Sequence, residues 1–345
     1  VQDRSAKRLL LAGSLLLALA LAEGAVRLLD ASRGHSSRKH TAWYWLYEQD
    51  PFLGFRGRAG ASASTPEETI EHNADGFRDR RSFEQVRAVR GRRLVVCVGE
   101  SSTYGLSAGS SEATYPAVLE KELRRLSGDD RWVVFNAGMP AYTAHEVLEL
   151  VKLRLLKLEP AIVVAMSLRN DHEYVVRHLE ERQDYDFYPL RMAALSASFP
   201  NEWLMRSSLY GRIATRLRSR FVDDLGGRPP AQPHARPTPR GLKLYLDNLA
   251  LLDALCRRSG VRLMLVDQPV NYERWDYDDG KRQSLEELRA ALRSFCADSG
   301  VTLLSAHAQM DWRGLRMEDD VHLGAAGYAR LAGLLAPQIL AAGAP

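Results

Sequence analysis

The sequence predicts an α/β fold of three layers, with helices on both faces of a mostly parallel five-stranded sheet. Three observations predict it. Five short apolar runs, Leu94 to Val98, Trp132 to Phe135, Ala161 to Met166, Val261 to Val266 and Val301 to Leu304, read as strands covered on both faces. Segments with helical spacing of apolar residues separate them, so parallel pairing through crossover helices is the economical arrangement. The first three runs end in glycine or polar residues, and in a parallel sheet those ends share one edge where distant residues converge.

The 345 residues suffice for one substantial core with additions, and the 46% hydrophobic content is that of a globular protein. The net charge of +4 is mild and the arginines are scattered among acids, which argues against a nucleic-acid partner. Cys97, Cys256 and Cys296 are too few and too dispersed for a disulfide framework or a metal cluster. Cys97 reads as core, and a Cys256–Cys296 bridge stays open.

Taken in order, residues 1–30 read as a signal anchor or signal peptide. Arg4, Lys7 and Arg8 precede an uncharged apolar run from Leu9 to Ala22, and Ala20-Leu21-Ala22 has the form of a cleavage site. The apolar pattern resumes through Ala25, Val26, Leu28 and Leu29, which favours an uncleaved anchor with the remainder on the extracytoplasmic side of the cell envelope. Cleavage would instead release a secreted protein. Residues 31–91 form an N-terminal extension. Its aromatic cluster, Trp43, Tyr44, Trp45, Tyr47, Phe52 and Phe55, suits either a membrane interface or a clasp on the domain. Gly57 to Thr69 reads as extended or loop, and Asp75-Gly76 as a turn beside a buried Phe77.

From residue 92 to 345 the α/β pattern runs with one interruption. Helices are expected over Ala113 to Leu126 and His145 to Leu158, then over Leu242 to Arg258, Ser284 to Ala297 and Gly324 to about Leu340. Residues from about 173 to 241 break the alternation and read as an insertion. Within it Arg212, Arg216 and Arg220 lie opposite Leu209, Ile213 and Leu217, a pattern that fits a helix packed on the domain or one resting on an anionic membrane surface.

The chemistry-bearing stretch is Leu94 to Gly105, where a strand gives way at Gly99 to a turn carrying Ser101 and Ser102. A serine hydroxyl is a poor nucleophile until a base takes its proton and a carboxylate steadies the resulting imidazolium. Asp319 and His322, three residues apart in a loop before the last helix, supply that pair of groups. Ser102 is the rival nucleophile, and His145 and His172 lie close enough to the site segments to contact substrate.

These residues, in this order, resemble the SGNH hydrolases, the GDSL-type esterase and lipase superfamily. Gly99-Glu100-Ser101 stands for the family's G-D-S, with Thr103 and Gly105 continuing it. Gly138 in N-A-G and Asn170 in R-N-D match the second and third blocks, while Asp319 and His322 match the last, followed by Gly327 and Tyr328. The resemblance spans roughly Arg92 to Ala342 apart from the insertion. It implies the flavodoxin-like SGNH fold, a catalytic triad of Ser101, His322 and Asp319, and an oxyanion hole from Ser101, Gly138 and Asn170. The N-terminal pattern, with D-P-F-L-G-F-R and N-A-D-G-F-R-D, also looks like a membrane-anchored bacterial subgroup. Two departures stand out: Glu100 replaces the usual aspartate, and Leu168 stands where the third block begins with glycine.

The implied activity is serine-dependent hydrolysis of acyl esters of a small molecule, glycan or lipid, by a carbohydrate O-acetyl esterase or a lipase. No cofactor or metal is called for. Two alternatives remain open at this level: an O-acyltransferase of envelope polysaccharide with the same triad, and a non-catalytic envelope module that binds through the aromatic segment and the insertion.

Overall fold

The computed structural model describes residues 2–32, 45–64, 68–176, 204, 207–213, 236–274, 277–315, 317 and 319–343. Helix α1 (Gln2–Ser32) is long and apolar enough to cross a membrane, and none of its most apolar stretch is covered by the rest of the chain. Two antiparallel ladders follow, β1 (Tyr47–Asp50) with β2 (Gly54–Gly57) and β3 (Ser62–Ser64) with β4 (Thr69–Glu71), then the short helix α2 (Phe83–Ala88). The α/β alternation comprises β5 (Arg93–Gly99), the single turn α3 (Ser101–Tyr104), α4 (Tyr115–Ser127), β6 (Trp132–Gly138), α5 (Ala144–Leu150), β7 (Ile162–Met166) and α6 (Arg169–Val175). It resumes with α7 (Pro239–Arg258), β8 (Arg262–Asp267), α8 (Asp279–Ser299), β9 (Thr302–Ser305) and α9 (Gly324–Ala341).

The five strands from β5 onward form one parallel sheet in the order β6-β5-β7-β8-β9. Period-two alternation gives it two cores. Leu94, Val96 and Val98 of β5 and Val163 and Ala165 of β7 face an apolar layer with α5, α7 and α8. Val95 and Cys97, with Ile162, Val164 and Met166, face α4 and α9 on the other side. The predicted three-layer α/β fold with a five-strand parallel sheet is therefore the observed one.

The chain goes from β5 to β6 on one side and then to β7 on the other. This reversal opens a crevice at the strand ends, where Gly99 is in register with both Gly138 and Met166. A Cβ on Gly99 would lie 2.1 Å from the Met166 carbonyl oxygen and 2.6 Å from Thr103 Oγ1, so glycine is what lets α3 turn back over the strand ends.

The extension is folded into the same apolar cluster as β5 and β6, through Leu46, Tyr47, Leu53, Phe55, Phe77 and Phe83. Among the described aromatic residues Tyr47 and Phe55 are thus a clasp, while Phe52 is exposed; Trp43 and Tyr44 lie outside the described residues. Gly57 to Thr69 is less irregular than its small polar residues imply, since Ser62–Ser64 pairs with Thr69–Glu71. The helix expected over His145 to Leu158 is α-helical only to Leu150. It continues as one π-turn over Val151–Leu155 and a tight 3-10 turn over Leu156–Leu158, closed by Glu159 at φ 52°. Most of the expected insertion, with Arg216, Leu217 and Arg220, lies outside the described residues. Cys256 and Cys296 are free buried thiols, both pushed up to about 12 by burial, so the bridge left open by the sequence is not formed.

Candidate active site

Strand β5 ends at Gly99, and the next residues wind into the single turn α3, closed by Gly105 in the left-handed region at φ 89°. This brings Ser101 to the carboxyl edge of the sheet, where it remains 9% exposed. As the first residue of a helical turn, Ser101 has a backbone N–H without an intrahelical acceptor.

Asp319 and His322 arrive from the loop before α9. One oxygen of the Asp319 carboxylate accepts the backbone N–H groups of Val321 at 2.9 Å and His322 at 2.8 Å, so the loop is folded around it. The other oxygen bonds His322 Nδ1. A carboxylate only accepts, so Nδ1 carries the proton and, in the neutral imidazole, Nε2 is the acceptor. His322 Nε2 lies 2.8 Å from Ser101 Oγ. Burial opposes ionisation of Asp319, but its bonds to His322 and to the two N–H groups prevail and hold the carboxyl below its ordinary value. A carboxylate, imidazole and hydroxyl linked in this way can withdraw a proton from the hydroxyl and return it to a leaving group.

Asn170 stands in the first turn of α6. Its side-chain amide donates to the Tyr142 carbonyl at 3.0 Å, which leaves one amide hydrogen for another acceptor. Its backbone N–H donates to Glu100 at 2.9 Å. Gly138 is placed differently from what the family resemblance implied. Its N–H donates to Asn136 Oδ1 at 3.0 Å, and a Cβ there would sit 2.2 Å from the backbone nitrogen of Tyr104. Gly138 thus admits α3 against β6, and its donor is already engaged. The following loop holds Ala141 at φ 64°, in the left-handed region that favours glycine, and its N–H makes no hydrogen bond among the described residues. The sequence signal for it was faint: a second small residue three positions after Gly138.

Both departures from the family pattern are accommodated. Leu168 is fully buried in the apolar layer of α5, α7 and α8. Glu100 is 1% exposed, and its carboxyl is raised to about 7 by burial first and by the charge of Asp171 second. Asp171 is itself raised to about 7 by burial and accepts the Ala144 N–H at 3.1 Å, tying α6 to the start of α5.

Ser102 is not poised as a nucleophile, because its hydroxyl donates to the Val321 carbonyl at 3.2 Å. His172 is buried and bonded to Ser284 at 2.9 Å, which removes it from substrate contact; burial lowers it to about 4. His145 is half-buried.

The extension, whose part in the site the sequence did not disclose, grips it from behind. His72 Nδ1 faces the Arg58 carbonyl and Nε2 lies 2.7 Å from the hydroxyl of Tyr104 in α3. Fully buried Arg78 donates to Glu68 at 2.8 Å and to the Gly105 carbonyl at 2.7 Å, fixing the end of the same turn. The Tyr142 hydroxyl donates to the Phe55 carbonyl at 2.6 Å and so anchors the loop next to Asn170.

The chain is similar to solved bacterial structures. They include an acetylxylan esterase from Geobacillus stearothermophilus, with TM-score 0.45 and 15% identity over 72% of this chain and 94% of that one. A lipase/acylhydrolase from Enterococcus faecalis gives TM-score 0.44 and 16% identity over 72% and 96%. A comparison with curated proteins gives no match. Residues 97–330, which contain every site residue from Ser101 to His322, match the model of the GDSL-like lipase/acylhydrolase family, and the chain belongs to that family.

Proposed function

We propose that the protein is a serine-dependent acyl-ester hydrolase held at a membrane by α1. Ser101 attacks the ester carbonyl, His322 takes its proton and passes it to the departing alcohol, and Asp319 orients the imidazole. Water repeats the sequence on the acyl-enzyme. The backbone N–H of Ser101 and the second amide hydrogen of Asn170 hold the developing oxyanion. Ala141 takes the place first given to Gly138, because its N–H has no other partner among the described residues and it lies in the loop that Asn170 touches. The observation that carries this reading is the continuous Asp319, His322, Ser101 hydrogen-bond chain.

Support for the anchor is geometric. Leu9 to Ala22 as uncharged helix spans ~21 Å, and Ala25 and Val26 carry the apolar run on toward the ~30 Å of a hydrocarbon core, with Glu23 and Arg27 near its outer boundary. Beyond Ala22 the helix contacts residues 207–213 of the insertion: Glu23 accepts the N–H groups of Ser208 at 2.9 Å and Leu209 at 2.8 Å, and Asp30 pairs with Arg212 at 2.5 Å. With Arg4, Lys7 and Arg8 retained inside, the catalytic domain lies on the extracytoplasmic face.

The test is hydrolysis of p-nitrophenyl acetate and of acetylated glycans by detergent-solubilised full-length protein, beside Ser101→Ala. Release of free acid by the wild type alone supports the reading. New esters on an added glycan acceptor would assign acyl transfer instead, and equal rates for the two proteins would remove Ser101 from the chemistry.

A further inference from the structure

Beside the triad runs a closed circuit of buried and partly buried hydrogen bonds that the chemistry does not use. Gln268, just past the end of β8, is fully buried. Its Oε1 accepts the backbone N–H of Arg169 at 2.9 Å, and its Nε2 donates to Ser102 Oγ at 3.2 Å. The Ser102 hydroxyl donates in turn to the Val321 carbonyl at 3.2 Å. Arg169 closes the circuit through Nε, which donates to Asp320 at 3.0 Å; Asp320 is the residue before Val321. Two further bonds brace the frame: Asn271 N–H to the Asp320 carbonyl at 2.8 Å, and Arg289 to the Gln268 carbonyl at 3.0 Å.

Each member adjoins a residue of the proposed machinery. Ser102 follows Ser101, Arg169 precedes Asn170, and Asp320 and Val321 lie between Asp319 and His322. We infer that Gln268 is a positioning residue that holds the nucleophile turn, the Asn170 turn and the Asp319–His322 loop in register through this circuit.

Glutamine suits the place chemically. The position needs an acceptor at one end, for the Arg169 N–H, and a donor at the other, because the single hydrogen of Ser102 is already given to Val321. Leucine would supply neither. Glutamate would set an acceptor against a hydroxyl with no hydrogen to spare. Since no water replaces a buried partner cheaply, loss of the amide shifts the loops rather than being tolerated in place. Rates are sensitive to such shifts, as a displacement near 1 Å can cost ~100-fold.

This inference rests on the hydrolase reading, and the test separates the two. In the full-length protein, Gln268→Leu, Ser102→Ala and the double variant are assayed with p-nitrophenyl acetate, and rates are referred to sites titrated with a fluorophosphonate. Leu335→Ala, on the buried face of α9, serves as a purely structural control. The circuit predicts that each single variant loses ~10–100-fold in kcat per titrated site with KM nearly unchanged. It also predicts that the double variant loses no more than the worse single, because one circuit is broken either way. The control should lose melting temperature without losing kcat per site. Unchanged kcat per site in Ser102→Ala, which removes a single buried oxygen and is the least disruptive change, would overturn the inference even if Gln268→Leu failed to fold. So would multiplied losses in the double variant. A wild type that neither labels nor hydrolyses would instead defeat the hydrolase reading.

Discussion

The carboxyl group of Glu100 accepts the backbone N–H of Asn170 at 2.9 Å, joining the residue before Ser101 to the turn after β7. Among the described residues its second oxygen is buried without a hydrogen-bond partner, so burial bears on the charged form and raises the group to about 7.

Glu100 and Asp171, each raised to about 7, and Glu146, raised to about 8, all owe the shift first to burial. The folded state holds these protons more tightly than the unfolded chain does. Their contribution is therefore complete below the ordinary carboxyl range and is lost as pH rises toward 7–8. The melting temperature should fall between pH 5 and pH 8, and less steeply in Glu100→Gln, whose amide oxygen still accepts the Asn170 N–H. Identical slopes in the two proteins would contradict this.

Asp319→Asn should keep the fold and lose turnover on the order of 10⁴-fold, because an amide facing His322 Nδ1 favours the wrong tautomer. Steady-state kinetics on short-chain esters, with circular dichroism as the check on folding, measure it. A loss smaller than tenfold would mean that the imidazole is held by something else.

Asn170→Ala and Gly138→Ala should separate chemistry from packing. The first removes one proposed oxyanion donor and should cost ~100-fold in kcat with little change in melting temperature. The second forces a Cβ to within 2.2 Å of the Tyr104 backbone, so its effect should be on folding yield and thermal stability. Comparing melting curves with activity per titrated site tells the two apart.

Arg78→Met should loosen the extension from α3. Removing a fully buried guanidinium takes an ion pair from Glu68 and a donor from the Gly105 carbonyl, and the expected loss is about 3 kcal/mol in urea unfolding. A neutral result would show that the apolar contacts of the extension and its His72–Tyr104 and Tyr142–Phe55 bonds hold it without this guanidinium.

The layers and the parallel sheet were legible, because five apolar runs interleaved with helical spacing leave few alternatives; the strand order was not, since apolar spacing does not say on which side of β5 each strand is laid. The ladders of the extension were not: Ser62–Ser64 and Thr69–Glu71 are too short and too mixed in polarity to show alternation. Nor could apolar spacing distinguish an α-turn from the π-turn at Val151–Leu155, since one wide turn leaves the apolar face in place. Ser101, Asp319 and His322 stood out because hydroxyl, carboxylate and imidazole were each set at a strand or helix end. Gly138 misled for a physical reason: a glycine at a strand end can admit a neighbouring helix as readily as it can expose an N–H. Gln268 carried no sequence signal at all, since the partners of its side chain, Ser102 and Arg169, come from two turns far from it in the chain.

The most direct measurement is covalent labelling of the full-length protein with a fluorophosphonate, followed by peptide mapping, in wild type and in His322→Ala. Stoichiometric modification at Ser101 is expected in the wild type, and at least a hundredfold slower labelling without the imidazole. Labelling at Ser102, or at Ser101 with equal rates in both proteins, would contradict this.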